Sequence, residues 1–284
     1  MTESQTHRLG RFSAPEPTSA FARLHWFHPD DVSKFTTRDW EPKIAVLDQE
    51  DLHAQGIMCS TFIPNGGDPD ALGSCTANTM IEQLSLILSE QEFRSAVAQL
   101  GKQAPDSDVY DDTIRAERAA IGFYHSCTSQ TASTATEWPP TDCGSSGPYM
   151  FQEARTLGLV QDEVIAQHTA ESIISLLQTG GAALGTPWLQ AWFQPNSSFF
   201  IDGDGTAASL QAQIQEGVAG GHEISISAIE KLTFLSNGGV DPLNTVLRVR
   251  NHWTASWADS GSAYLHLSTL LMLGANIDIR QFIA

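Results

Sequence analysis

Apolar side chains recur every three to four positions from residue 75 onward. Ala77, Met80, Ile81, Leu84, Ile87 and Leu88 mark one helix face over about 75–90, and similar spacing predicts helices over about 92–101, 111–124 and 160–178. Between the last two, "CTSQTASTATEWPPTDCGSSGPYMF" is polar and rich in Gly, Pro and Ser, which reads as a loop with a short helix after it. From about residue 180 the pattern shifts. "AALGTPWLQAWF", "HEISISAIEKLTFL", "NTVLRVRNHW" and "SAYLHLSTL" are rich in β-branched and aromatic residues, and "PNSS", "DGDG" and "SNGGVDP" interrupt them. These are strand and turn signals. A helical half followed by a β half predicts an α+β protein of two lobes: an N-terminal arm over 1–45, a mainly helical lobe over 46–179 and a mainly β lobe over 180–284. No internal repeat is present.

The periodicity also places polar residues. Ser74 precedes the first helix as a candidate N-cap, so Cys75 falls in the first turn, where backbone N–H groups and the helix dipole favour a thiolate. In "GGHEISISAIE", His222, Ile224, Ile226 and Ala228 share one strand face, and Glu223, Ser225 and Ser227 the other. His222 thus starts a strand facing the apolar side, behind a Gly-Gly that permits close approach. In "TVLRVRNHW", Leu247, Val249, Asn251 and Trp253 share a face, while Arg248 and Arg250 point away from it. A nucleophilic thiol needs an imidazole to take its proton, and the imidazole needs a third group to hold its tautomer. A helix-start Cys, a strand-start His and a strand-end Asn supply those three types in that order.

Composition narrows the options. The 284 residues carry 33 acidic and 15 basic side chains, a formal charge of −18. Such a surface repels phosphate backbones and anionic lipid, which argues against nucleic acid or membrane as the main partner. The N-terminal "MTESQTHRLGRFSAPEPTSAF" lacks the apolar run of a secretory signal, so the cytoplasm is the expected compartment, with signal-less export also open. Cys59, Cys75, Cys127 and Cys143 contain no C-x-x-C pair, so neither a zinc site nor any other metal or cofactor is expected. Cys127 and Cys143 flank the polar loop and stand where a bridge is conceivable. "DGDG" at 202–205 lacks the remaining ligands of a calcium loop and reads as a turn; His125 and His266 read as structural.

With these residues in view, "LGSCTAN", "DCGSSGPYMFQEARTLGLV", "GGHEI" and "RVRNHWTASWADSGSAYLHLS" resemble the four blocks of papain-like cysteine peptidases, most of all the bacterial and phage-borne branch. The resemblance runs from about residue 40 to the C-terminus. It implies a helical lobe carrying Cys75 as nucleophile and a β-barrel-like lobe carrying His222 as base and Asn251 as its orienter. It further implies Trp253 as the cover over the His–Asn hydrogen bond, Trp257 as the second tryptophan of that block, and a substrate groove along Gly144, Ser145, Ser146 and Gly147 to which Trp253 and Trp257 also belong. The implied partner is a polypeptide or peptide substrate; oligomeric state is left open.

Two departures stand out. The family usually has Gln six positions before the Cys, donating its amide to the oxyanion; here Pro69 stands there and donates nothing. Loss of one such donor costs roughly 10²–10³ in rate. The glycine after the tryptophan is Thr254. Asn65 and Asn78 are the candidate replacement donors. The expected function is a thiol peptidase acting through an acyl-enzyme on Cys75. The alternatives are a catalytically weak scaffold that binds peptide or serves an assembly, and a deamidase or transglutaminase-like acyl-transfer toxin.

Overall fold

The computed structural model describes residues 9, 11, 22–25, 29–42, 72–104, 115–130, 138, 142–253 and 256–284. Within these, the first half holds helices α1 (Cys75–Ile87), α2 (Glu90–Gly101), α3 (Arg115–Gln130) and α4 (Gly147–Thr156). Three further helices, α5 (Ala170–Leu177), α6 (Ala207–Glu216) and α7 (Leu267–Leu273), lie between strands. The strands are β1 (Ala22–His25), β2 (Arg38–Asp39), β3 (Asp162–Ala166), β4 (Ala182–Leu189), β5 (Val218–Lys231), β6 (Val246–Arg250), β7 (Ser262–His266) and β8 (Asp278–Ile283). They form one sheet in the order β1-β3-β8-β4-β5-β6-β7, with β2 pairing to β5. Pairing is antiparallel except between β1 and β3. The class is α+β as the pattern predicts, but the strand path stays open where a barrel-like lobe was expected.

Two apolar clusters fill the interior. Met80, Ile81 and Leu84 of α1 pack with Phe93, Val97 and Leu100 of α2, Ile121 and Phe123 of α3, and Met150 of α4. Ile173 and Leu177 of α5 pack with Leu184, Trp188, Ile224, Ile226, Leu247 and Val249 from the sheet. α1 separates the two. Every residue from Cys75 to Ser85 is buried, including Thr76, Thr79, Glu82 and Gln83. Its polar side faces the sheet and not solvent: Gln83 Nε2 donates to Ser225 Oγ at 3.0 Å. The polar face of β5 is therefore buried too, because it lies under α1.

The helix predicted over 160–178 is instead β3 followed by α5. Val164 and Ile165 pair with both β1 and β8, and Thr169 then starts α5 by accepting from Ser172 N–H at 3.2 Å. The strand predicted in "SAYLHLSTL" stops at His266, where α7 begins. α6 follows the "DGDG" turn, capped by Thr206, which accepts from Ser209 N–H at 3.2 Å. α2 carries the reciprocal Ser89–Glu92 capping box.

α2 and α3 approach so closely that Gly122 has no room for a side chain: an added Cβ would lie 2.9 Å from Leu100 C and 3.1 Å from Ala104 N. At Gly101 the same atom would meet only the Arg118 side chain, at 3.5 Å. Gly122→Ala is expected to cost about 1–3 kcal/mol of unfolding free energy, and Gly101→Ala to be neutral or stabilising by up to about 1 kcal/mol. Urea denaturation of both variants checks this; equal stabilities would contradict the packing described.

Candidate active site

Cys75 is the first residue of α1 and is 2 % exposed. Ser74 sits at the N-cap position but makes no side-chain capping bond. Instead its carbonyl accepts from the N–H groups of Ala77 and Asn78 at 3.0 Å each. Asn78 Nδ2 donates to Ser74 O and Oγ, both at 3.1 Å. An amide so engaged has to leave these bonds to reach an oxyanion. Just upstream, Gly73 N–H donates to Asp142 Oδ2 at 2.8 Å. Tyr124 donates its hydroxyl to Asp142 Oδ1 and accepts from Gly144 N–H at 2.8 Å. Asp142 thus ties the approach to Cys75 to the loop at Gly144, where a φ of 71° suits glycine. Burial and the Asp142 charge raise the Tyr124 pKa, so its hydroxyl stays protonated. Ser145, Ser146 and Gly147 follow, all buried, before α4.

His222 and Asn251 meet. Ser225 pairs with Arg250 across β5 and β6, and the period of two then sets both side chains on one face. His222 Nε2 lies 3.0 Å from Asn251 Oδ1. His252 N–H donates to that same oxygen at 2.9 Å. A backbone N–H only donates, so the atom it meets is the amide oxygen, and His222 Nε2 must carry hydrogen to bond it. In neutral His222 the lone pair is therefore on Nδ1. Both residues are buried, with His222 at 0 % and Asn251 at 2 % exposure.

An aromatic wall surrounds the pair. Trp253 stacks on the His222 ring with centroids 4.8 Å apart and planes at 27°. Trp188 meets the ring edge-on at 4.8 Å and also packs edge-on against Trp253 at 5.3 Å. Trp253 in turn stacks on Phe193 at 5.3 Å, and Trp257 packs against Trp253 at 5.7 Å while donating Nε1–H to Phe193 O at 3.2 Å. Trp253 and Trp257 are 4 % and 7 % exposed. Trp253 covers His222 directly, and Trp257 packs behind Trp253. Such a shell lowers the local dielectric and strengthens the bond it encloses.

What approaches the Gly-Gly ahead of His222 is the N-terminal arm. Leu9 packs against Gly220, and Arg11 N–H donates to Gly221 O at 3.0 Å. Arg11 also forms a ladder bridge with Ser145. Its Nε donates to Glu223 Oε2 at 3.1 Å and its Nη2 to Asp278 Oδ2. Burial opposes its charge, but Glu223, Asp278 and Cys75 more than offset that, so the guanidinium is held protonated. Arg11 thus brings the start of α1 and the His222 strand to one electrostatic neighbourhood. Sequence reasoning missed Arg11, Asp278, Trp188 and Asp142; a lone arginine in an arm and an aspartate starting a C-terminal strand carry no local signal.

Asn65, Pro69 and Cys59 lie outside the described residues. Cys127 and Cys143 are not bridged to each other. Burial and then Glu153 push the Cys127 thiol well above its ordinary range. The "DGDG" segment is a turn: Asp202 accepts from His266 N–H at 2.7 Å and Thr269 Oγ1 at 2.6 Å, and Asp204 from Thr206. No cluster of three metal-binding side chains occurs among the described residues, nor any helix long and apolar enough to cross a membrane.

No family model matches the chain, and no curated protein matches its sequence. Among solved structures it is similar to xylellain, a cysteine protease from Xylella fastidiosa, at 11% identity and a TM-score of 0.48, covering 100% of this chain and 98% of that one. It is also similar to the bromelain protease from Ananas comosus (14%, TM-score 0.36, 87% and 98%) and to the Carica candamarcensis cysteine protease CMS1MS2 (11%, TM-score 0.34, 87% and 98%). Identities this low assign no activity.

Behind the site, Glu82 of α1 faces Arg250 of β6 at 3.9 Å, too long for a hydrogen bond. Burial raises the Glu82 pKa to about 7 against the pull of Arg250 and Ser225. A carboxyl whose folded pKa lies above its unfolded value contributes most stability below about pH 4.5 and loses it as pH rises through about 7. Glu82→Gln is therefore expected to gain about 1–3 kcal/mol on the wild type between pH 5 and pH 8. Denaturant unfolding at both pH values measures this; a pH-independent difference would contradict the assignment.

Proposed function

We propose that this protein is a papain-type thiol peptidase acting on extended polypeptide or peptide chains. The observation that carries the reading is the His222–Asn251 hydrogen bond, with its acceptor fixed by His252 N–H and its donor by elimination. That polarity leaves Nδ1 of His222 as the base. In the reaction, Cys75 Sγ gives its proton to His222 Nδ1 and attacks the substrate carbonyl. The resulting imidazolium protonates the leaving amine, and the acyl group stays on sulfur as a thioester. Water, deprotonated by the same nitrogen, then releases the acid and restores the thiol. Asn251 holds the ring orientation throughout and exchanges no proton. The groove along Gly144, Ser145, Ser146 and Gly147 would take the substrate backbone.

The oxyanion formed in each half-reaction needs donors. Cys75 N–H at the helix start is one. Pro69 cannot be the second, and it favours a competing reading in which the cleft binds peptide without turning it over. Asn65, in the segment "PNGG", is the donor we assign. Asn65→Ala then lowers turnover about 10²-fold with little change in KM. Full turnover in both Asn65→Ala and Asn78→Ala would locate the second donor elsewhere.

Turnover of a peptide library, read by product mass, tests the main reading and separates hydrolysis from acyl transfer. Cys75→Ala and His222→Ala are each expected to lower the rate by about 10³-fold or more with melting curves unchanged, and Asn251→Ala to cost less. Wild-type turnover in Cys75→Ala would end the proposal.

A further inference from the structure

Three neighbouring strands build a slot beside His222. Gly185 of β4 pairs with Glu223 of β5 on one side and with Asp278 of β8 on the other. With no side chain at 185, the space between the two carboxylates is open, and the Arg11 guanidinium fills it. A Cβ on Gly185 would lie 2.7 Å from both Arg11 Cζ and Nη2. The slot is nearly dry: the side chains of Arg11, Glu223 and Asp278 are 8 %, 0 % and 13 % exposed.

Its excess of carboxylates is largest without a guest. Arg280 is already committed, through Nη1 to both oxygens of Glu163 at 3.0 Å and through Nε to Asp278 at 2.7 Å. Removing Arg11 leaves three carboxylates (Glu163, Asp278, Glu223) around one guanidinium. Glu223 Oε1 accepts no hydrogen bond among the described residues even with Arg11 in place. Burial and the Asp278 charge raise the Glu223 pKa, and Arg11 is the larger of the two cations that oppose this. The two carboxylates engage different nitrogens of one planar group. A guanidinium offers that fork of donors, whereas an ammonium is a single point charge.

Arg11 also reaches the slot through backbone groups that any extended chain can use: Gly221 O and the ladder position of Ser145. We propose that Gly185, Glu223 and Asp278 form an arginine-recognising pocket of the substrate cleft, occupied in this structure by Arg11 of the chain itself. The substrate class is then peptides with an arginine side chain close to the scissile bond, entering in place of Arg11. This deepens the peptidase reading and rests on it for the identity of the cleft, while the pocket's ligand preference is measurable without turnover.

The test uses the full chain with Arg11→Ala, which empties the slot. N-acetyl-arginine methylamide at millimolar concentration is expected to raise the melting temperature of this variant by several degrees. Its citrulline counterpart, which keeps the shape and lacks the charge, should not. Wild type, with the slot filled, should respond to neither, and adding Asp278→Asn to Arg11→Ala should abolish the arginine response. Equal responses to the two probes, or an arginine response that survives Asp278→Asn, would overturn the pocket. If Arg11→Ala does not fold, refolding yield from urea with each probe gives the same discrimination. Labelling of Cys75 by a thiol-directed epoxide reports on the peptidase reading separately. Inert Cys75 with a selective slot removes the substrate role, and a labelled, active enzyme indifferent to arginine removes the pocket alone.

Discussion

The buried hydrogen bond between His222 and Asn251 is the contact on which the candidate chemistry depends. It joins side chains on adjacent strands, so it exists only in one register of β5 against β6; a slip of one residue would turn either side chain to the opposite face. Trp253 and Trp188 then pack against the ring and against each other. Removing water makes the bond stronger and also makes any misalignment costly. The His252 N–H on the same oxygen leaves the asparagine one useful orientation. Local geometry thus sets the tautomer of the imidazole before any substrate arrives.

α1, which starts at Cys75, packs on β5, the strand that carries His222. α1 is buried along its length, which is possible because its polar side meets the polar face of β5 through Gln83 and Ser225. Asp142 secures the chain just ahead of Cys75 and, through Tyr124, the loop at Gly144. Across the sheet the structure concentrates charge: Glu163, Arg280, Asp278, Arg11 and Glu223 follow one another over β3, β8 and β5. Breaking such a buried pair by removing one partner typically costs about 3–5 kcal/mol. The same row that consolidates the sheet therefore makes the loss of any one of its charges costly.

Much of this was legible in the residues, for identifiable reasons. The start of α1 at Cys75 and the shared face of His222, Ile224 and Ile226 follow from periodicities of 3.6 and 2. The block resemblance added which polar residues to pair. Periodicity failed where two signals overlapped: "LVQDEVIAQHTAESIISLL" has helical spacing, yet β-branched Val164 and Ile165 are captured by two neighbouring strands before Thr169 starts a helix. It was silent on the burial of the Glu223, Ser225 and Ser227 face of β5, because a polar helix side covering a polar strand face leaves no apolar signature. Ser74 has the right type for a cap and spends its groups on Asn78 instead. Arg11 was illegible for a different reason: its partners are more than 200 positions away, and nothing near it in the chain reveals an acidic slot.

The central claim is that Cys75 and His222 act as one ionisable unit at the start of α1. The most direct measurement is the rate of iodoacetamide alkylation at each cysteine between pH 5 and pH 9, resolved by peptide mass, in wild type and in His222→Ala. The account predicts that Cys75 reacts first at pH 6 in wild type, ahead of Cys59, Cys127 and Cys143, and that His222→Ala removes this reactivity at acidic pH. Faster labelling of another cysteine at pH 6, or a Cys75 profile unchanged by His222→Ala, would contradict it.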